Sequence, residues 1–141
     1  MRQRVVLAED HPGVAEQLRA LLSREYEVLE VVRDGGALVR AVQARAPDAI
    51  VADLGMPVMT GLAAARAILD AHPEARIVIV TVRDEAPVIR RTLALGALGY
   101  VSKADAGEEL LPAVQSSLEG HEYLSTTARE ALGLPGAPAV S

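Results

Sequence analysis

A doubly wound α/β domain on a five-stranded parallel sheet is the fold class that this 141-residue chain predicts. Three observations predict it. Strand-like and helix-like segments alternate five times over residues 4–118, which in one domain implies a parallel sheet with helices on both faces. The strand segments are short, mostly β-branched and poor in polar residues, as strands covered on both sides are. The helical segments repeat apolar residues every three to four positions and are bounded by Gly, Pro or capping side chains.

Residues 4–8 form the first strand. Pro12 suits the first turn of a helix, and Val14, Leu18, Leu21 and Leu22 share one helical face. Residues 28–32 are the second strand; Gly35 and Gly36 break it, and Leu38, Ala41 and Val42 mark a helix ending before Pro47. Residues 49–52 are a short, wholly apolar third strand. A Gly- and Pro-containing loop over 54–61 leads to a helix with Leu62, Ala65 and Leu69 in register. Residues 77–82 are the fourth strand, and Asp84 is placed to cap a helix reaching about Ala94. Residues 98–102 are the fifth strand. Asp105 with Glu108 reads as a capping box for a helix whose inner face carries Leu110, Leu111, Val114 and Leu118. Residues 1–120 form the expected domain. Residues 121–141 are expected to hold a short helix over 125–132, with Thr127 and Glu130 as its capping box, and a Gly- and Pro-rich tail over 133–141.

Half the residues are hydrophobic and 23% are charged, a water-soluble balance. The apolar stretch near the N-terminus stops at Ala8, before Glu9 and Asp10, and no run is long enough to cross a bilayer, so the expected location is the cytoplasm without a membrane partner. With no cysteine there is neither a disulfide nor a thiolate metal site. A formal charge of −5 and three aromatic residues, all Tyr, disfavour direct gripping of nucleic acid. Thirteen arginines stand against one lysine, Lys103.

In parallel α/β sheets ligands bind at the carboxyl ends of the strands. Those ends carry Glu9-Asp10, Asp53, Thr81 and Lys103. Converging carboxylates repel one another unless a cation lies between them, and an oxygen-only donor set suits Mg²⁺. Asp53 is then a nucleophile able to form an acyl phosphate, Thr81 a hydroxyl donor and Lys103 a compact positive charge. Each residue alone has a plainer account: a helix cap, a turn aspartate, a β-forming threonine. Four such coincidences at one sheet edge are harder to accept. The only lysine falls where a point charge is needed and where the larger guanidinium fork is not equivalent.

Over residues 4–119 these features resemble the receiver domains of bacterial two-component response regulators. The resemblance is carried by Glu9-Asp10, by Asp53-Leu54-Gly55-Met56-Pro57-Val58-Met59-Thr60-Gly61, by Thr81 and by Lys103. It implies a flavodoxin-like (βα)5 fold with strand order 2-1-3-4-5, and no enzyme activity beyond self-directed phosphoryl transfer and dephosphorylation. Asp53 would accept phosphate from a sensor histidine kinase. Asp10 and Asp53 would ligate Mg²⁺ directly, Glu9 through water, and Gly55 through its carbonyl. Tyr100 matches the switch aromatic that follows Thr81's movement; a half-buried strand tyrosine would look the same in sequence. His11-Pro12, Gly99-Tyr100-Val101-Ser102-Lys103 and Tyr123-Leu124-Ser125 are similar to the NarL/LuxR-type subfamily, whose helix-turn-helix output domain would lie beyond residue 141; the alternative is a stand-alone receiver acting by protein–protein interaction. DNA would be contacted only through that domain, and a homodimer would form on phosphorylation. Gln17 and Val14, on the rim of the first helix, are candidates for kinase contact.

Two departures stand out. Val82 follows Thr81 where a small residue is commoner, so Val82 and Arg83 are candidate rate-tuning positions, Val82 by narrowing access to the phosphoryl group. Ala104 replaces a common proline after Lys103, which makes a cis 103–104 peptide costlier, leaves its isomer open between cis and trans, and implies a looser hold on Lys103. Three other readings compete. A haloacid-dehalogenase-like phosphatase needs its nucleophile after the first strand, in a D-x-D motif. An FMN-binding flavodoxin needs a Ser/Thr-rich loop where Glu9-Asp10 stands. A phosphate-independent receiver would not need the complete acid set.

Overall fold

A computed structural model describes residues 2–135. Its strands are β1 (Arg4–Ala8), β2 (Glu27–Val32), β3 (Ala49–Ala52), β4 (Ile77–Thr81), β5 (Gly99–Ser102) and β6 (Tyr123–Leu124). The helices between them are α1 (Pro12–Leu22), α2 (Gly35–Arg45), α3 (Gly61–Ala71), α4 (Ala86–Leu95), α5 (Ala106–Leu118) and α6 (Thr126–Ala131). A single 3₁₀ turn over Lys103–Asp105 joins β5 to α5.

All strand pairs are parallel, in the order β2-β1-β3-β4-β5-β6. The expected order 2-1-3-4-5 holds, and a sixth strand joins it where sequence reading expected five. That strand is only two residues long, too short for any periodicity to announce it, and pairs Tyr123 with Gly99 and Leu124 with Tyr100. The tail expected over 133–141 lies outside the described residues from 136 onward.

Alternation along each strand divides the core in two. Val6, Ala8, Ile50, Ala52, Ile79 and Tyr100 point to the layer containing α2, α3, α4 and α6. Val5, Leu7, Val51, Val78, Val80 and Val101 point to α1 and α5. Helix starts follow local chemistry. His11 Nδ1 accepts from Val14 N at 3.3 Å above Pro12, Asp34 accepts from Ala37 N at 2.8 Å, and Thr60 Oγ1 accepts from Ala63 N at 3.2 Å.

Three expected caps are not formed. Pro87 sets the start of α4 so that Glu85, not Asp84, is the residue before it, and no side chain caps that helix. Asp105 precedes α5 in helical rather than extended backbone, because the 3₁₀ turn runs directly into the helix; its carboxylate instead accepts from Thr127. Thr127 is therefore bonded to the turn before α5 and does not begin a capping box with Glu130. Ser125 is the residue before α6.

Candidate functional site

The carboxyl ends of β1, β3, β4 and β5 bring the expected residues together. Carboxylate oxygens of Glu9, Asp10 and Asp53 lie within 4.8 Å of one another. Glu9 is 1% exposed and Asp53 7%, while Asp10 is the most open of the three. Lys103 reaches in from the turn after β5: its Nζ is 2.7 Å from Glu9 Oε1 and 2.9 Å from Asp53 Oδ2. Glu9 Oε2 accepts from His11 N at 3.1 Å, and Asp53 Oδ1 accepts from Gly55 N at 3.3 Å. Glu9 Oε1 has no directed hydrogen bond, so the Lys103 charge is what compensates that buried oxygen. Burial pulls the Lys103 ammonium toward its neutral form, but the paired carboxylates of Glu9 and Asp53 outweigh this and hold its pKa above the ordinary lysine value.

Thr81 and Tyr100 are buried and connected through one residue. Arg83 N donates to Thr81 Oγ1 at 3.3 Å, and the Tyr100 hydroxyl donates to the Arg83 carbonyl. Burial raises the Tyr100 pKa, helped by Glu85, so the phenol stays protonated and able to donate. Arg83 thus enters the site through its backbone, while its side chain pairs with Glu85 at 3.2 Å. Val82 is 70% exposed. Gly55 contacts Asp53 through its N–H. No cis peptide bond occurs among the described residues, so the Lys103–Ala104 bond is trans.

The loop after Asp53 is held by close backbone approaches. A Cβ on Gly61 would fall 1.8 Å from the Asp53 carbonyl oxygen, and one on Gly35 2.3 Å from the Met59 carbonyl oxygen. Gly35 N donates to that Met59 oxygen at 2.9 Å, tying α2 to the loop. Between them Val58 has φ +66°, strained for a β-branched residue, with Met59 N donating to Pro57 O across it at 2.8 Å. Sequence reading passed over Gly35: a glycine after a strand reads as a break, and nothing local shows which loop comes down on it.

Beside Lys103 runs a groove of about 370 Å³ between α1 and the start of α5, lined by Val14, Gln17, Leu21, Lys103, Ala106 and Gly107. No helix among the described residues is long and apolar enough to cross a membrane.

A parallel five-unit α/β sheet with an acid cluster, a threonine and a lysine at its carboxyl edge is the architecture of a signalling receiver. The family profile of the response regulator receiver domain matches residues 5–115, and the chain belongs to that family. Within it, the chain is of the NarL/LuxR type. It is 33% identical to oxygen regulatory protein NreC of Staphylococcus haemolyticus over 86% of this chain and 57% of that protein. It is 31% identical to response regulator GacA of Pseudomonas aeruginosa over 93% of this chain and 62% of that one. The chain therefore spans about 57–62% of the length of these two curated relatives. The crystal structure of a LuxR-family two-component response regulator from Aurantimonas sp. superposes with a TM-score of 0.90 at 31% identity, covering 94% of this chain and 96% of that one.

Proposed function

We propose that this receiver is a phosphorylation-driven switch in which Asp53 takes a phosphoryl group from the phosphohistidine of a sensor kinase. The observation that carries the reading is the pairing of a nearly buried Asp53 with two further carboxylates and the chain's only lysine. An Asp53 carboxylate oxygen attacks phosphorus, the P–N bond to the donor imidazole breaks, and the electron pair leaves with the imidazole. Lys103, already 2.9 Å from Asp53 Oδ2, neutralises charge on the incoming group. Thr81 exchanges its bond from Arg83 N for donation to a phosphoryl oxygen. Because Arg83 also receives the Tyr100 hydroxyl, that movement is felt at Tyr100 and at the α4 layer it packs against.

Three carboxylates against one ammonium leave an excess of negative charge, and all the donors are oxygens, so the site fits Mg²⁺. Glu9, Asp10, Asp53 and the Gly55 carbonyl would hold it, and when bound it would screen the charge that builds up on the transferred phosphoryl oxygens. The groove beside Lys103, with Val14 and Gln17 on its rim, is the surface offered to the kinase. In the full protein the receiver would act in the cytoplasm and control dimerisation and, through an output domain, DNA binding. The receiver proper would run past the expected boundary at 120 to residue 131, because β6 joins the sheet and α6 the core, and the residues after it would form the connection onward.

Incubation with Mg²⁺ and acetyl phosphate tests the reading by intact mass. One phosphoryl group should be gained by the wild type and none by Asp53→Ala. A wild type that gains nothing, or an Asp53→Ala protein that is still modified, refutes it.

A further inference from the structure

We infer that the β6–α6 strap, residues 123–131, is a positioning element for Lys103, clasping the turn that carries it from both sides. The inference rests on the reading of Asp53 as phosphoacceptor, and it concerns residues outside the 5–115 span that the family profile matches.

Lys103 sits in a 3₁₀ turn closed locally by Ala106 N donating to Lys103 O. Its side chain is long and flexible, and the next residue is Ala104, whose backbone N–H has only a 3.4 Å bond to Ser102 Oγ. The strap adds restraint on both sides of this turn. On the near side, Ser125 N donates to Tyr100 O at 2.9 Å, and Ser125 Oγ then accepts from Ser102 N at 3.1 Å. The serine hydroxyl thereby extends the β5–β6 ladder one residue past the end of β6, to the position immediately before Lys103. On the far side, Asp105 accepts from Thr127 N at 2.9 Å and from Thr127 Oγ1 at 3.1 Å.

One helical turn further on, Glu109 accepts from Thr126 N at 3.0 Å and from the Tyr123 hydroxyl at 2.8 Å. Two carboxylates from the turn and α5 thus do what a capping side chain would do for α6, and bind the strap to the lysine turn in the same contacts. Ser125 and Ala128 have no exposed surface, so the strap is seated in the core rather than laid over it. Among the described residues these contacts flank Lys103 at 102 and 105, and the lysine's own side chain is left to span the distance to Asp53 and Glu9. Where a proline after the lysine would stiffen this turn through its own ring, here the stiffness comes from residues 20 or more positions away.

The test uses the full chain with Ser125→Ala and Asp105→Ala, and with Thr127→Val against Thr127→Ser, which keeps the hydroxyl. Four readouts are taken: beryllofluoride affinity in saturating Mg²⁺, Mg²⁺ affinity alone by calorimetry, amide exchange at residues 102–105, and thermal unfolding. Lys103 faces both Asp53 Oδ2 and Glu9 Oε1, and its positive charge opposes a cation held by the same carboxylates. A positioning role therefore predicts beryllofluoride affinity weakened by about two- to tenfold, the size of one net hydrogen bond, with faster exchange at 102–105 and Mg²⁺ affinity not weakened. Thr127→Ser should match the wild type and Thr127→Val should not. Unchanged beryllofluoride affinity in the variants would overturn the inference. So would Mg²⁺ affinity falling in parallel with it, which marks general loosening. A wild type that takes up no beryllofluoride would overturn the phosphoacceptor reading itself, and this inference with it, so the two failures are told apart by the wild-type arm.

Discussion

Replacing Gly61 by alanine adds one methyl group at the point where α3 passes Asp53. That methyl would lie 1.8 Å from the Asp53 carbonyl oxygen, 2.7 Å from its carbonyl carbon and 2.9 Å from Leu54 Cα. These are backbone atoms, which cannot rotate away, and Cβ contacts under 3.0 Å essentially do not occur. The first turn of α3 or the end of β3 must therefore give by more than about 1 Å, and Asp53 moves with whichever gives. Overpacking of this kind costs about 1–3 kcal/mol of stability, and an acceptor displaced by about 1 Å loses on the order of a hundredfold in phosphoryl transfer. The assay is the initial rate of phosphorylation by acetyl phosphate, with unfolding in urea measured on the same preparation. Gly107→Ala is the control: nothing lies within 4 Å of its added carbon, and in the first turn of α5 it should stabilise by about 0.5–1 kcal/mol without changing the rate. A Gly61→Ala protein with wild-type stability and rate would refute the claim that backbone contact at this glycine sets the position of Asp53.

Three further perturbations follow from the site. Lys103→Ala removes the charge facing the buried Glu9 and Asp53 and should cost about 1–3 kcal/mol in metal-free buffer, so Mg²⁺ should raise its Tm by more than it raises that of the wild type; equal increments would show that the carboxylates do not depend on this lysine. At high pH the tyrosines should govern stability. Burial pushes the Tyr100 and Tyr123 phenols above the ordinary value of 10.0, so the folded state holds their protons more tightly than the unfolded chain. Their contribution is whole below pH 10.0 and falls as pH rises from there through the folded values. Tyrosinate absorbance should therefore grow only together with loss of helical circular dichroism, and ionisation of the tyrosines at their ordinary value in a folded protein would contradict this. Val82→Ala, at a position 70% exposed, should leave stability within about 0.5 kcal/mol and shorten the phosphoryl lifetime several-fold by opening the site to water. An unchanged lifetime would remove Val82 as a rate-tuning residue.

What was legible in the sequence was whatever strand periodicity places. Once β1, β3, β4 and β5 are recognised, Glu9, Asp10, Asp53, Thr81 and Lys103 must lie at one edge, and the structure puts Lys103 within 2.9 Å of a carboxylate 50 residues away. What was not legible depends on which distant surface a side chain meets. Asp105 followed by Glu108 has the spacing of a capping box, yet the carboxylate of Asp105 is bonded to Thr127, 22 residues on. Gly35 and Gly61 read as breaks between elements, and only the folded chain shows the carbonyl oxygens lying against them. Arg83 was singled out as a rate-tuning position, but its contacts with Thr81 and Tyr100 are made by its peptide groups, which carry no trace of residue identity.

β6 also changes how the sheet faces other molecules. Without it, β5 would be a boundary strand, its four residues all apolar or small and its outward peptide groups open to pairing with another chain. With Tyr123 and Leu124 in place and Ser125 completing the row, that boundary is closed by a strand of two residues, which leaves little for a further chain to dock on. The opposite boundary, β2, is longer and relies on charge, with Glu27 and Glu30 exposed along it. The sheet is thus insulated by brevity on one side and by repulsion on the other. A chain ending at Gly120 should show the difference as concentration-dependent association in sedimentation, where residues 1–135 stay dispersed.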